Sequence, residues 1–294
     1  MFTQFFGNYL LNQRLVSPEQ LTEALELQKT TRLKLGVLAI NAGYMTAEQV
    51  EEVHNAQQRM DKRIGDIAVE MGFLTKDQVE ELLSSQKSGH LLLGQALVDR
   101  GYMTTAQFEQ AMRSYKSENS ITDADFTDIQ NDKASAAIRK FYGLDALRNS
   151  KTYTDYISLF FKNIIRFIGD DFTPLDPEQI TSYSCMNAAV QKINGPISFV
   201  TAIEADDNAY IDFAARYAGE PLNCIDEMTN ASVGEFLNLQ NGLFTVNVSN
   251  DSGMELQLEP QETSVGAELT ELAEAFRIPL AFPFGTVNVI IAGV

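Results

Sequence analysis

The sequence predicts an all-α array of helical hairpins over residues 1–119, followed by an α/β (α+β) domain with a largely antiparallel sheet over residues 150–294. Three observations carry this. Glycines recur at Gly7, Gly36, Gly65 and Gly94, a constant step of 29 residues, and self-similarity at one period marks a repeat architecture. The stretch KSENSITDADFTDIQNDK, residues 116–133, is polar and acidic with no apolar stripe, as a segment between domains is. Beyond it the pattern turns into mixed strand and helix signals. Residues 120–149 are therefore assigned to an acidic linker and a short helix from Ala134 to Leu147.

Each repeat reads as two helices. The first carries apolar pairs: Leu10-Leu11, Ala39-Ile40, Ala68-Val69 and Leu97-Val98. Gly43, Gly72 and Gly101 then permit the turn, and Arg14 in their place predicts a different turn in the first unit. The second helix opens with Ser17, Thr46, Thr75 or Thr104, and three residues on comes Gln20, Gln49, Gln78 or Gln107. That spacing is a capping box, in which the hydroxyl takes an N–H and the glutamine reaches back. Apolar spacing of four follows in Leu21/Leu25, Val50/His54, Val79/Leu83 and Phe108/Met112, which predicts a half-buried packing role for His54.

In the second half, residues 152–168 show an apolar helical face. SYSCMNAAVQKI and ISFVTAIEA read as strands joined at Asn194-Gly195-Pro196. DNAYIDFAARYA reads as a helix stopped by Gly219. A longer helix starts near Cys224 or Ile225 and runs to about Gln240. FTVNV, MELQLEP and TVNVIIAGV carry strand signals, with GAELTELAEAFRI helical between them. Such an order suggests a largely antiparallel sheet with helices.

Composition narrows the function. The 294 residues suit about two domains. The formal charge is −18, and it is uneven: residues 1–119 carry 12 Lys/Arg against 15 Asp/Glu, leaving 10 against 25 for residues 120–294. The acidic half repels nucleic acid and anionic membrane. Two cysteines, Cys185 and Cys224, make no disulfide framework, and a reducing cytoplasm is the expected location. No apolar run approaches membrane-spanning length, so no membrane insertion is expected. The only histidines are His54 and His90, and no H-E-xx-H, G-x-S-x-G, C-xx-C or G-xxxx-G-K occurs, which removes the usual metal, serine-hydrolase and nucleotide-hydrolase readings.

Two resemblances sharpen the reading. Lys34-Leu35-Gly36 leads to Gly43-Tyr44-Met45 and Gln57, and Arg63-Ile64-Gly65 leads to Gly72-Phe73-Leu74 and Gln86. This pattern resembles the MshEN motif, whose members fold a tandem pair around one cyclic di-GMP. The resemblance implies a cyclic di-GMP site in the second and third repeats, built from Lys34, Gly36, Gln57, Arg63, Gly65 and Gln86. A cation there can meet phosphate or stack on guanine, glycine opens the backbone N–H to the ligand, and an amide matches a guanine edge. The outer units depart, with Phe5 and Leu92 at the cation position and Tyr115 for the terminal glutamine. Without the resemblance, the four units read as a helical docking array with the outer two as structural caps.

Ser232-Val233-Gly234-Glu235-Phe236-Leu237-Asn238-Leu239-Gln240-Asn241-Gly242 resembles the motif of the CheX/CheC chemotaxis phosphatases, in which Asp or Ser precedes E-xx-N-xxx-G. Glu235, Asn238 and Gly242 match. The acidic or hydroxyl position falls on Ala231, with Asn230 and Ser232 beside it as substitutes. The likeness extends over roughly residues 150–294, and a single motif makes CheX the nearer relative.

The resemblance implies two-component signalling through removal of phosphate from a CheY-like response regulator. Asn238 would orient the water, and Glu235 would anchor the regulator through that protein's active-site lysine. Mg²⁺ and the phospho-aspartate would belong to the regulator, so no intrinsic cofactor or metal is expected. A homodimer through the CheX-like domain is also implied. The sequence leaves a second class open: a non-enzymatic cyclic di-GMP receptor or adaptor whose CheX-like domain is catalytically silent and only dimerises.

Overall fold

A computed structural model describes residues 2–28, 30–84, 89–118, 138–139, 141–144, 149–270 and 272–293. The chain divides into two compact units, Phe2–Ile129 and Gln130–Val294.

The first unit holds eight helices among its described residues: α1 (Phe2–Asn12), α2 (Pro18–Gln28), α3 (Leu35–Asn41), α4 (Ala47–Gln57), α5 (Ile64–Glu70), α6 (Lys76–Ser84), α7 (Gly89–Asp99) and α8 (Thr105–Glu118). Each capping box forms in both directions. Gln49 N donates to Thr46 Oγ1 at 3.3 Å while Thr46 N donates to Gln49 Oε1 at 2.9 Å, and the Ser17, Thr75 and Thr104 boxes repeat the exchange.

Three of the period-29 glycines, Gly36, Gly65 and Gly94, have a packing cause. A Cβ on Gly36 would meet Val50 at 2.5 Å, one on Gly65 would meet Val79 at 3.0 Å, and one on Gly94 would meet Phe108 at 2.1 Å. Each partner lies fourteen residues on, in the second helix of the same hairpin. Glycine lets the two helices of a unit approach closely.

Three expectations for this unit are corrected. Arg14 does not give its turn a different shape: it takes φ 54°, beside 71°, 78° and 71° for Gly43, Gly72 and Gly101. Arg14 N reaches Leu11 O and Leu15 N reaches Leu10 O, as Gly43 N reaches Ile40 O and Tyr44 N reaches Ala39 O. These are the paired bonds of a Schellman cap, strong enough in all four units to impose the left-handed residue. Such a conformation costs a non-glycine residue about 1–2 kcal/mol, so Arg14→Gly is expected to stabilise the unit by about 1 kcal/mol, read as a higher urea midpoint.

The outer two hairpins also do not stand apart as caps. The first packs on the fourth through α2 and α7, and the second packs on both third and fourth. Aromatic residues make the first contact: Phe6 lies 5.4 Å from Tyr115 and 6.3 Å from Phe108, ring centre to ring centre. Finally, His54 is exposed, with Val53 buried in its stead, and Leu83 is exposed with Leu82 buried. The inward residues run at a spacing of three, Ala47-Val50-Val53 in α4 and Val79-Leu82 in α6, with Val50 and Val79 half-buried.

The second unit is a sheet covered by helices. Its strands are β1 (Thr173–Pro174), β2 (Glu178–Ile180), β3 (Tyr183–Ser184), β4 (Asn187–Asn194), β5 (Phe199–Ala205), β6 (Gln257–Leu258), β7 (Glu262–Val265), β8 (Glu268–Leu269), β9 (Ala273–Phe282) and β10 (Gly285–Gly293). The main sheet runs β1-β9-β10-β5-β4-β6, with β2 on β9 and β7 on β4, and every pairing is antiparallel. Its helices are α9 (Ser150–Phe167), α10 (Asp207–Ala218) and α11 (Glu227–Ser252). The expected helix over 134–147 lies largely outside the described residues.

Side chains of alternate residues face opposite sides of a strand. Gln191, Thr201 and Phe199 point to α9 and α11, where Phe199 meets Tyr153 at 5.7 Å and Phe244 at 6.4 Å. On the reverse face Cys185, Ala188, Ala202 and Ile290 form a small core under the β3-β8 ribbon.

Two segments depart from expectation. FTVNV is helical, inside α11. Phe244 continues the inward series Leu237-Asn241-Phe244 and packs on Tyr156 at 5.1 Å, while Val246 is exposed. Burial at helical spacing outweighs the β preference of the valines. GAELTELAEAFRI is not a helix but supplies β8 and the start of β9. There Phe276, Ile278, Leu280 and Phe282 are buried in alternation, and that period-2 pattern outweighs the helical propensity of Glu, Leu and Ala.

Candidate active site

The site is built on α11. Its start is fixed by Asp226, whose side chain accepts from Thr229 N at 3.0 Å, and its end by Gly253 in the left-handed conformation. One face is sealed: Phe236, Leu237, Gln240, Asn241 and Phe244 are buried. Phe236 meets Phe160 at 5.7 Å and Phe213 at 5.2 Å, and Gln240 accepts from Asn163 at 2.7 Å. With that face anchored, Ala231, Glu235 and Asn238 must turn outward, and all three are exposed. Gly242 follows Asn238 one turn on, and a Cβ there would meet nothing within 4 Å. The helix face one turn on from Asn238 is therefore open at Gly242.

Asn238 is exposed but held. Its Oδ1 accepts from Gln191 Nε2 at 2.8 Å. Gln191 is 1% exposed and belongs to a buried polar chain beneath the helix. Glu235 lies near Tyr217 of α10, whose phenol is raised first by burial and then by the Glu235 charge. Neither Gln191 nor Tyr217 was singled out from sequence. The available signal for Gln191 was a polar residue at an inward position of an otherwise apolar strand face.

The substitutes weighed for the Ala231 position divide. Ser232 is buried and spends its hydroxyl on Met228 O at 2.8 Å, so it presents nothing outward. Asn230 is half-buried. Among the described residues no group of three His, Cys, Asp or Glu could hold a metal ion, and no helix is long and apolar enough to cross a membrane. Burial pushes the Cys185 thiol up to about 12, which leaves it protonated and unreactive at neutral pH.

The residues named for cyclic di-GMP fall in the first unit. Lys34 and Arg63 are the exposed N-caps of α3 and α5, and neither side chain makes a capping bond; Lys34 N donates to Gln95 Oε1 at 3.2 Å and Lys34 Nζ pairs with Asp99 at 2.6 Å. Gln57 Nε2 donates to Lys62 O at 3.2 Å. Gly36 and Gly65 are buried, and a Cβ on either would meet a valine side chain, Val50 or Val79. Gln86 lies outside the described residues.

No family model matches this sequence, and no curated protein matches it. Solved structures do. A chemotaxis protein CheX from Desulfovibrio desulfuricans is 17% identical, with TM-score 0.43, over 49% of this chain and 99% of that one. A CheC-like chemotactic protein from Shewanella oneidensis is 16% identical, with TM-score 0.44, over 50% and 99%. The CheX–CheY–BeF₃–Mg²⁺ complex from Borrelia burgdorferi matches at 15% identity and TM-score 0.40, over 48% and 97%.

Proposed function

We propose that residues 150–294 dephosphorylate the aspartyl phosphate of a CheY-like response regulator. The observation that carries this is the pair Glu235 and Asn238, exposed one turn apart on a helix capped at both ends and beside an open glycine, in the spacing E-xx-N-xxx-G. Glu235 docks the regulator by an ion pair with a lysine beside its phospho-aspartate. Asn238 enters that site. Its carboxamide can accept a hydrogen bond from water and donate to a phosphoryl oxygen.

Water attacks phosphorus in line, the bond from phosphorus to the aspartyl oxygen breaks, and the aspartate leaves as a carboxylate. Inorganic phosphate keeps the oxygen of the water and both of its protons, leaving as dihydrogen phosphate. Catalysis of this kind is positioning and charge stabilisation, so two side chains suffice. The Mg²⁺ that neutralises the phosphoryl group comes with the regulator. The test is regulator dephosphorylation with this chain at catalytic, substoichiometric concentration. No acceleration over spontaneous loss would reject the reading and favour an adaptor with a silent domain.

For the first unit, the buried glycines and the Lys34–Asp99 pair support helical docking over cyclic di-GMP binding. Calorimetry of the full chain with cyclic di-GMP is expected to show no heat. Saturable heat that vanishes in Arg63→Ala would establish the nucleotide site instead.

A further inference from the structure

We propose that Gln191 is the positioning residue for Asn238: it fixes which end of the Asn238 amide faces the partner. This rests on the role given to Asn238 above. An exposed asparagine amide normally has two broad and nearly equivalent orientations about its last torsion. Here the surroundings allow one.

Two backbone carbonyls, which can only accept, set the polarity of the chain. The Glu259 carbonyl lies 2.8 Å from a terminal atom of Gln191, so that atom is the NH₂ group, Nε2. Its second hydrogen goes to Asn238 at 2.8 Å, so Asn238 must turn its oxygen inward. The other end of Gln191, Oε1, accepts from Asn241 Nδ2 at 2.8 Å.

A second carbonyl locks the same polarity. The Thr201 hydroxyl donates to Gln191 O at 3.1 Å, which leaves its oxygen to accept from Asn241 Nδ2 at 2.8 Å. Asn241 Oδ1 in turn accepts from the Tyr156 hydroxyl at 2.9 Å. Gln191, Thr201 and Asn241 are each no more than 1% exposed. Reversing any one amide would set donor against donor or acceptor against acceptor in a dry interior, a costly arrangement.

The consequence reaches the surface. Asn238 presents its NH₂ group, with both hydrogens, to whatever docks on α11. Phosphoryl oxygens gain negative charge as the aspartyl bond breaks, and a pre-oriented donor stabilises that charge without reorganising. An amide oxygen has two lone pairs, so Oδ1 keeps a second acceptor site besides the one that Gln191 Nε2 occupies.

The test uses Gln191→Glu, which is nearly isosteric and keeps an acceptor for Asn241, and Gln191→Met, which removes both ends. Two readouts on the full chain are compared. The first is the Asn238 side-chain amide pair in a ¹⁵N spectrum, assigned by its loss in Asn238→Ala. It is expected to move toward the shifts of a free amide in Gln191→Met, and to move the other way in Gln191→Glu, where the amide turns to donate to the new carboxylate. The second is regulator dephosphorylation, where kcat is expected to fall between about tenfold and a hundredfold with KM unchanged. An Asn238 pair that stays in place in either folded variant overturns the proposal, as does an unchanged kcat. A wild-type chain without phosphatase activity would defeat the function proposed above, and the amide spectrum would still decide the role of Gln191.

Discussion

Replacing Asn238 with alanine is expected to lower kcat for loss of phosphate from the regulator by about a hundred- to a thousandfold, the usual cost of one pre-oriented transition-state donor. KM for the phosphorylated regulator should hardly change, because the lost interaction matures only as the bond breaks. Asn238→Asp sharpens the result. An aspartate can still accept from Gln191 Nε2, so the inner contact survives, but it shows the phosphate an anionic oxygen in place of a donor. It should be at least as inactive as alanine. Glu235→Ala should act on the other constant. If its ion pair is desolvated on docking, truncation costs about 2–5 kcal/mol of affinity and appears in KM. Glu235 is exposed, so its truncation should not move thermal unfolding by more than about 0.5 kcal/mol, whereas Asn238→Ala also strips a partner from the buried Gln191 Nε2 and should cost about 1 kcal/mol. An Asn238→Ala protein as fast as wild type removes the mechanism.

The pair was readable in the sequence because spacing on a helix fixes its face. What lay beneath was not. Gln191 precedes Asn238 by 47 residues. It touches Asn238 only because the register of β4 on β5 turns its side chain to the helix layer and the buried side of α11 sets the helix's rotation. Neither fact is local. The same limit explains the misread segments. FTVNV has strand-like composition, and only Phe244 in the aromatic cluster with Tyr156 and Phe199 shows that the helix continues. GAELTELAEAFRI begins with strong helix formers, and its alternation appears only when Phe276 to Phe282 are counted together. β7, the four-residue strand on β4, carries no apolar pattern at all: three of its residues are exposed. In the repeats the balance was better. Capping boxes and glycine turns are local chemistry, and they formed as read. The closure of the first hairpin on the fourth depends on Phe6, Tyr9, Phe108 and Tyr115 meeting across the chain.

That closure makes Gly94→Ala the substitution with the largest expected effect on stability. In an exposed helix, exchanging glycine for alanine gains about 1 kcal/mol. In α7 the new methyl would lie 2.1 Å, 2.7 Å and 2.9 Å from three atoms of the Phe108 ring. The ring has nowhere to go. It is fully buried, and Phe6 of the first hairpin stands edge-on to it at 6.3 Å. Overpacking of this kind costs typically about 1–3 kcal/mol and outweighs the propensity gain. The three glycines should therefore rank by the closeness of their partners. Gly94→Ala destabilises most, Gly36→Ala less, because Val50 can shift a methyl 2.5 Å away, and Gly65→Ala least, with Val79 at 3.0 Å. Urea unfolding followed by helical circular dichroism would give the order. Adding Phe108→Leu to Gly94→Ala should recover part of the loss, since the smaller side chain frees the space the methyl needs. A Gly94→Ala chain as stable as wild type, or one that gains nothing from the second change, would mean that the 29-residue period serves something other than the close approach of paired helices.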